Sequence, residues 1–233
     1  MGWLPEAAST FAGRIDGIFY LILAITGVIF VGVEAALLYF AIKYRHREGR
    51  KAYHTHGNTR VEVVWTAIPA VLVLLIGVLS VPPWLEIRSH DRIPDGAYVV
   101  DMMASQFEWN ASYVGPDGQM GTDDDVTQRN QLHIPVGRPV VVTLRSEDVI
   151  HSFFLPEFRV KQDAVPGMET PVWFQATRTG EFTLACAELC GTGHTRMGGR
   201  VIVHSTEDFD AWLLAEGAGP PLEARLASTN DQP

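Results

Sequence analysis

Cysteine is scarce in this sequence, and positive charge is scarce in the larger part of it. The 233 residues include only two cysteines, which excludes a fold held by several disulfides but leaves room for one bridge or one metal site. From residue 85 onward, 22 acidic residues face 11 basic ones. This acidity argues against a nucleic-acid partner and favours a basic protein, although solubility alone accounts for the same composition. The 47% hydrophobic content excludes a largely disordered chain.

Two long apolar runs occupy the first third of the chain. Residues 18–42 carry a single charge, at Glu34, and residues 61–85 carry one at Glu62. Because about 20 apolar residues span a bilayer, we predict two transmembrane helices with these bounds. A cleaved signal peptide is the alternative for the first run, but the preceding residues are not positively charged and the run is too long. The Pro-Pro pair at 82–83 is predicted to end or kink the second helix.

The segment between these runs indicates the direction of the helical hairpin. Residues 43–60 contain six basic residues and one acid, so the positive-inside rule places this loop in the cytoplasm and residues 1–17 outside. Its three histidines are interpreted as solvated loop residues. A charge within a membrane span is costly and often functional, which makes Glu34 and Glu62 candidates. For Glu62, an interfacial position that complements the helix dipole is the alternative.

Beyond residue 86, short apolar alternations separated by Gly, Pro and Asp are typical of β-strands. Without long helical patterns between them, these strands predict an all-β sandwich or small barrel over residues 86–214, with a short helix at 207–214. Residues 215–233 are predicted to form a flexible tail. Because the basic loop is expected in the cytoplasm, both termini are expected outside. The predicted strands lie within residues 98–113, 131–136, 138–146, 150–156, 170–177, 180–187 and 199–205.

An Asp-rich segment, residues 115–130, is inserted between two predicted strands. It gathers enough carboxylates to hold a calcium ion, but it lacks the full spacing and the terminal glutamate of an EF-hand. A solvated hairpin loop is the favoured interpretation, since Asp and Gly are ordinary turn residues. The aspartates concerned are Asp117, Asp123, Asp124 and Asp125.

The strongest chemical signal is the stretch CAELCGTGHTRMGG, residues 186–199. Its Cys190, His194 and Met197 have the order of a blue-copper ligand loop, which His151 on an earlier predicted strand would complete. Soft sulfur donors favour copper. Zinc and a disulfide between the two cysteines stay open as alternatives, although zinc gains nothing from a methionine and a disulfide leaves the His and Met unexplained.

The second thiolate, Cys186, distinguishes this pattern from a mononuclear copper site, which needs only one. Its presence suggests two metals bridged by two sulfurs, with the other groups as terminal ligands. Bridging lets the two metals share one electron, and a site held rigid by a β-framework changes geometry little on gaining it. No open position for a substrate is evident, so the pattern predicts electron transfer rather than bond-making.

Four segments follow one another in a fixed order: VEVVWTAIP (61–69), QFEWNASY (106–113), VIHSFFLPEFRVKQDAVPG (149–167) and CAELCGTGHTRMGG (186–199). Together with the two predicted spans, they closely resemble subunit II of the haem-copper cytochrome c oxidases. The resemblance covers the chain from about residue 15 to residue 214. It implies a cupredoxin-like outer domain that holds a dinuclear copper A centre.

The resemblance also implies a role for each candidate ligand. Cys186 and Cys190 would bridge the two copper ions, with Met197 as a weak thioether ligand. Glu188 would bind through its backbone carbonyl, and its side chain would face a magnesium site shared with subunit I. The terminal imidazole ligands would be His151 and His194.

In this family, cytochrome c docks on the acidic outer surface, and its electron passes through copper A to haem in subunit I, where oxygen is reduced and protons are pumped. The resemblance thus implies an electron-accepting subunit with no oxygen chemistry of its own, associated with subunit I, subunit III and membrane lipid. Glu62 matches a family glutamate near the start of a proton path into subunit I. The expected location is a bacterial plasma membrane, with the copper domain on the periplasmic or extracellular face.

One position departs from the family pattern. Many relatives have a tryptophan directly after the glutamine of the aromatic segment, where electrons enter, whereas this chain has Phe107 and then Trp109. Both residues are candidates for that role, and both also suit an ordinary strand. The sequence contains no CxxCH motif, so we expect the donor, cytochrome c or a similar protein, to be a separate molecule.

Two other functions stay open from the sequence. One is the copper A subunit of a nitric oxide reductase, which only the partner subunit would distinguish from an oxidase. The other is a membrane-anchored copper carrier, for which a thiolate-bridged pair that retains its metal would be a poor design.

Overall fold

A computed structural model describes residues 3–51, 53–89 and 92–219. The chain divides into two compact units: one runs from Arg14 to Trp84, and the other combines the residues up to Gly13 with those from Leu85 onward. The first is helical and the second is mainly β-structure. The predicted class, two apolar helices followed by an all-β domain, is therefore confirmed.

Helix α1 spans Ala12–Lys43 and helix α2 spans Thr59–Arg88. Each contains an 18-residue stretch of mean hydropathy 2.5, so both are long and apolar enough to cross a membrane. Both begin before the predicted starts at 18 and 61, and both extend past the predicted ends. Their large apolar side chains, such as Phe30 and Val73, are exposed, which suits a surface in contact with lipid or with other membrane helices.

The Pro-Pro pair was predicted to end or kink the second helix, and the first of these two effects is wrong. Helix α2 continues through Pro82 and Pro83 to Arg88. Each proline lacks an N–H donor and so removes one helical hydrogen bond. The bonding resumes within about one turn, because Ser89 N–H donates to the Leu85 carbonyl at 3.0 Å.

The described part of the β-domain contains ten strands and a helix: β1 (Tyr98–Ser105), β2 (Glu108–Tyr113), β3 (Val126–Arg129), β4 (Gln131–Pro135), β5 (Pro139–Ser146), β6 (His151–Leu155), β7 (Val160–Ala164), β8 (Thr170–Gln175), β9 (Gly180–Cys186), β10 (Gly198–His204) and α3 (Thr206–Glu216). The first sheet has the order β3-β2-β1-β5-β8, and the second has the order β4-β10-β9-β6-β7. Trp109 of the first sheet packs edge-to-face against Phe153 of the second, with ring centroids 5.7 Å apart. The aromatic core therefore lies between two layers, as in the predicted sandwich.

Two strands were not predicted, and one predicted strand segment forms two strands in the structure. β3 (VTQR) and β7 (VKQDA) are short and polar, so they lack the apolar alternation that marks a strand. Residues 98–113 form two antiparallel strands around a tight turn rather than one run. Helix α3 extends two residues past its predicted end at 214, and residues 220–233 of the predicted tail lie outside the described residues.

The N-terminal segment belongs to the β-domain. Thr10 N–H donates to the Gln175 carbonyl at 3.1 Å, and Thr177 N–H donates to the Ala8 carbonyl at 2.9 Å, so the segment lies along the edge strand β8. Phe11 packs edge-on against Trp173, with ring centroids 4.6 Å apart. These contacts satisfy backbone groups that a free sheet edge would expose.

The Asp-rich segment forms a loop whose carboxylates bind its own backbone. Asp125 accepts hydrogen bonds from Gly115 N–H at 3.1 Å and from Gly121 N–H at 2.6 Å. Asp124 accepts one from Asp117 N–H at 3.0 Å. These bonds are those of a hairpin loop held by Asp side chains.

Candidate metal centre

Strands of the second sheet bring the candidate ligands to one end of that sheet. His151 is the first residue of β6 and Cys186 is the last residue of β9, and Phe153 of β6 pairs with Cys186. The remaining candidates lie in the connection from β9 to β10. This connection folds back on itself, since Cys186 N–H donates to the Met197 carbonyl at 3.1 Å.

Five side-chain donors converge at this end of the second sheet. The sulfurs of Cys186 and Cys190 lie 3.8 Å apart. Cys190 Sγ lies 3.7 Å from His194 Nδ1 and 3.7 Å from Met197 Sδ. His151 Nδ1 lies 3.1 Å from Met197 Sδ and 4.0 Å from Cys186 Sγ. Residues that are up to 46 positions apart in sequence thus present their donor atoms to one small volume.

This donor set suits copper. It combines two thiols, two imidazoles and a thioether, which are the soft and borderline donors that copper prefers. The Glu188 carbonyl oxygen is a further donor, 3.3 Å from Cys186 Sγ. A structural zinc site is closed by four donors, fewer than converge here. Both cysteines are free. The arrangement therefore fits a dinuclear copper centre better than zinc or a disulfide.

Three of the five donors lie in a dry environment, and the other two, Cys186 and His194, are half-buried. His151, Cys190 and Met197 are buried, at 0%, 3% and 3% exposure. Burial, together with the neighbouring Cys186 thiol, raises the pKa of Cys190 to about 11. Since a cysteine ligand must be a thiolate, metal binding at neutral pH displaces the Cys190 proton.

Asp148 orients the buried histidine. Its Oδ1 lies 2.8 Å from His151 Nε2, on the side of the ring opposite to the sulfurs. Burial acts to raise the pKa of Asp148, but the hydrogen bonds from His151 and from the N–H groups of Val149 and Gln106 together hold it below its usual range. The carboxylate therefore keeps the proton on Nε2 and leaves Nδ1 free as a ligand. Sequence reasoning missed Asp148, although an acid three residues before a candidate ligand was a usable signal.

The aromatic segment lies directly against the cluster. Gln106 Nε2 donates to the Cys190 carbonyl at 2.5 Å. The half-buried Phe107 ring lies over Gly193, where a Cβ would overlap the ring, so any larger residue there would displace Phe107. Trp109 is fully buried beside His151, with ring centroids 6.1 Å apart. Phe107 and Trp109 thus occupy different places, one at the surface of the ligand loop and one behind a ligand.

The predicted acidic candidates lie apart from the sulfur donors. The Glu188 side chain is exposed at the loop surface. Glu62 belongs to the helical unit and lies in the first turn of α2, beside a groove of about 390 Å³ that Thr66 and Ala70 also line. Glu34 lies in the C-terminal half of α1. The structure therefore gathers the sulfur and imidazole candidates and leaves these acids outside that group.

Comparison with protein families gives two matches. The model described as the transmembrane domain of cytochrome c oxidase subunit II matches residues 1–82. The model described as the periplasmic domain of the same subunit matches residues 102–206. Together they cover well over half of the chain.

Curated proteins and solved structures give similar matches. "Alternative cytochrome c oxidase subunit 2" of Bradyrhizobium diazoefficiens is 35% identical over 97% of this chain and 87% of that protein. Cytochrome c oxidase subunit 2 of Thermostichus vulcanus is 34% identical over 91% of this chain and 77% of that protein. A crystal structure of the periplasmic domain of subunit II of cytochrome oxidase (CoxB) of Bradyrhizobium japonicum is 30% identical. It covers 53% of this chain and 96% of that chain, with a TM-score of 0.44.

Proposed function

Because this chain belongs to the family of cytochrome c oxidase subunit II, and is thus a subunit of a haem-copper oxidoreductase complex, we propose that electrons enter that complex through a dinuclear copper A centre on this chain. The observation that carries the proposal is the convergence of the five donors. Two free thiol sulfurs lie 3.8 Å apart, which is close enough for both to contact the same two metal ions. Copper in such a site supplies a one-electron carrier.

Each donor has a role in the proposed site. Cys186 and Cys190 would bridge the two ions, and His151 Nδ1 and His194 Nδ1 would each bind as a terminal imidazole. Met197 and the Glu188 carbonyl contribute the weaker contacts. Three distances below 4 Å support this assignment: from His151 Nδ1 to Met197 Sδ, from His194 Nδ1 to Cys190 Sγ, and from Cys190 Sγ to Met197 Sδ.

The surrounding framework favours electron transfer over bond-making. Cys186 and His151 belong to hydrogen-bonded neighbouring strands, and the backbone of Met197 is bonded to that of Cys186. Ligands on paired strands move little when the charge of the site changes. A small change of geometry keeps the cost of reorganisation low, which is what a carrier that only passes electrons requires.

The proposed donor is cytochrome c or a similar basic protein. Three acids, Glu147, Asp148 and Glu188, are exposed next to the ligand residues against one exposed base, Arg196, so the surroundings of the site are acidic on balance. Opposite charge raises the encounter rate of a basic donor. Phe107 packs on Gly193 of the ligand loop and is only half-buried, which supports it as the aromatic residue that would lie under the donor, whereas Trp109 is fully buried.

The helical unit is proposed to anchor the chain beside subunit I, with subunit III as a further partner. Glu62 would supply a proton-path group at the start of α2, and the exposed Glu188 side chain would contribute to a magnesium site shared with subunit I.

The N-terminal segment supports the proposed placement of the β-domain outside the membrane. It pairs with β8, so it lies on the same side of the membrane as the β-domain, opposite to the basic loop that is expected in the cytoplasm.

The deciding measurement is the copper content and electron paramagnetic resonance spectrum of the full chain, purified in detergent and loaded with copper. Two coppers per chain that share one unpaired electron produce a seven-line hyperfine pattern. Cys186→Ser should abolish this pattern because one bridge is lost, whereas Thr192→Ala, at an exposed residue of the same loop, should retain it. A single copper, zinc, or an unchanged spectrum in Cys186→Ser would refute the assignment.

A further inference from the structure

Asn130 is the one residue between the end of β3 and the start of β4. Since β3 belongs to the first sheet and β4 to the second, the chain changes sheets at this residue. Its φ of 57° lies in the left-handed region, which Asn tolerates better than most residues. The sequence alone offered no reason to select it.

Asn130 makes hydrogen bonds to both sheets. Its N–H donates to the Trp109 carbonyl at 2.6 Å, and its side-chain Oδ1 accepts from Trp109 N–H at 2.9 Å. Its carbonyl accepts from Arg200 N–H in β10 at 2.9 Å. The Asn130 carbonyl, which would accept from Trp109 N–H if the ladder continued, accepts from Arg200 N–H instead, so that backbone acceptor is missing from the ladder. The Asn130 side chain takes the place of that missing backbone carbonyl.

Both ends of this connection lead to candidate metal ligands. The Trp109 ring lies against the ring of His151, and it is fully buried there. In the other direction, a Cβ at Gly199 would overlap the Asn130 backbone. The backbone segments around Asn130 and Gly199 are therefore in close contact, two residues after Met197. Asn130 therefore connects the support of a ligand from β6 with the support of a ligand from the β9–β10 connection.

We propose that Asn130 is a positioning residue of the metal centre: its side-chain amide holds Trp109 against His151 and so sets where His151 lies relative to Met197. This inference rests on the proposed copper centre. It requires two properties at once, a left-handed backbone and an acceptor atom that reaches Trp109 N–H. Asn and Asp have both properties, and Gly has only the first. The Ser side chain is shorter, so its hydroxyl oxygen does not extend as far toward Trp109 N–H.

The test compares three substitutions in the copper-loaded full chain. Asn130→Gly keeps the backbone conformation and removes the acceptor, so copper should be lost to a chelator about 10-fold faster, with an altered hyperfine pattern and reduction potential. Asn130→Asp keeps an acceptor and should restore the wild-type values. Gln128→Ala is the control: it removes a hydrogen bond between the side chains of Gln128 in β3 and Glu216 in α3. This variant should leave the copper properties unchanged.

A second readout does not depend on copper. In the copper-free full chain, hydrogen exchange of the Trp109 amide should be faster in Asn130→Gly and normal in Asn130→Asp. If Asn130→Gly does not accumulate, Asn130→Ser carries the test, with an altered hyperfine pattern expected. The inference would be overturned if Asn130→Gly or Asn130→Ser kept the wild-type hyperfine pattern, reduction potential and copper retention. It would also be overturned if Asn130→Asp lost copper as fast as Asn130→Gly. A wild-type chain that binds no copper pair would instead refute the proposed function.

Discussion

At the scale of single residues, the surroundings of His151 decide what the cluster can bind. Asp148 accepts from the ring on one side, so the other ring nitrogen is free to face the sulfurs. The same carboxylate accepts from the backbone of Gln106, whose side chain donates to the Cys190 carbonyl. Two candidate ligands from separate parts of the chain therefore share one hydrogen-bonded network.

Replacing Asp148 should weaken copper binding. Asp148→Ala removes the acceptor for His151 Nε2, so the ring loses its fixed tautomer and orientation, and copper affinity should fall by about 10- to 100-fold. Glu147→Ala is the matched control, because it removes an adjacent exposed carboxylate of the same charge. Competition with a chelator measures the affinity of each variant. Equal affinities would mean that Asp148 contributes only surface charge.

At the scale of elements, the outer domain depends on pieces that are distant in sequence. The β9–β10 connection carries three of the five side-chain donors, and the other two lie at the end of β9 and at the start of β6. The N-terminal segment covers the edge of β8 through backbone pairing and the packing of Phe11, which is 2% exposed. The stability of the β-domain should therefore depend on residues that precede the first membrane helix.

Phe11→Ala should lower the free energy of unfolding of the β-domain by about 3 kcal/mol, because a buried aromatic side chain and its contact with Trp173 are lost. Phe30→Ala is the control, since Phe30 on α1 is 65% exposed. Denaturant unfolding of the full chain in detergent, followed by near-ultraviolet circular dichroism, measures the difference. If the two variants unfold alike, the N-terminal segment does not stabilise the domain.

At the scale of the whole molecule, charge is distributed unevenly along the chain. The loop between the membrane helices is basic, and the β-domain side is acidic, with 22 acids against 11 basic residues from residue 85 onward. A donor that approaches the β-domain therefore meets a negative surface. Salt should weaken that attraction, because it shortens the range of charge interactions.

Electron transfer from reduced, basic cytochrome c to the copper-loaded oxidase complex should slow by about 10-fold or more at higher salt. The comparison runs from about 0.01 M to about 0.15 M ionic strength, where the Debye length falls from about 30 Å to about 8 Å. Stopped-flow absorbance measures the rate. A neutral small-molecule reductant serves as the control and should be insensitive to salt. A rate from cytochrome c that does not change would exclude docking by opposite charge.

Much of the architecture could be predicted from local patterns. The two helices were evident because a membrane span needs only a continuous apolar run, and most strands were evident from their alternation. β3 and β7 were missed because their residues are polar and are held as strands by their neighbours. The Pro-Pro pair does not end α2, because the helix on both sides of it outweighs this local breaker.

The sequence by itself determined the family, the membrane spans and the kinds of donor atom, because residue type, order and hydropathy are properties of the chain alone. Only the tertiary structure decided that His151 meets the β9–β10 connection with Asp148 behind it, that Asn130 connects the two sheets, and that residues 8–11 cover β8. The physical reason is that these contacts join residues far apart in the chain. Their hydrogen bonds and packing exist only once the two sheets have come together.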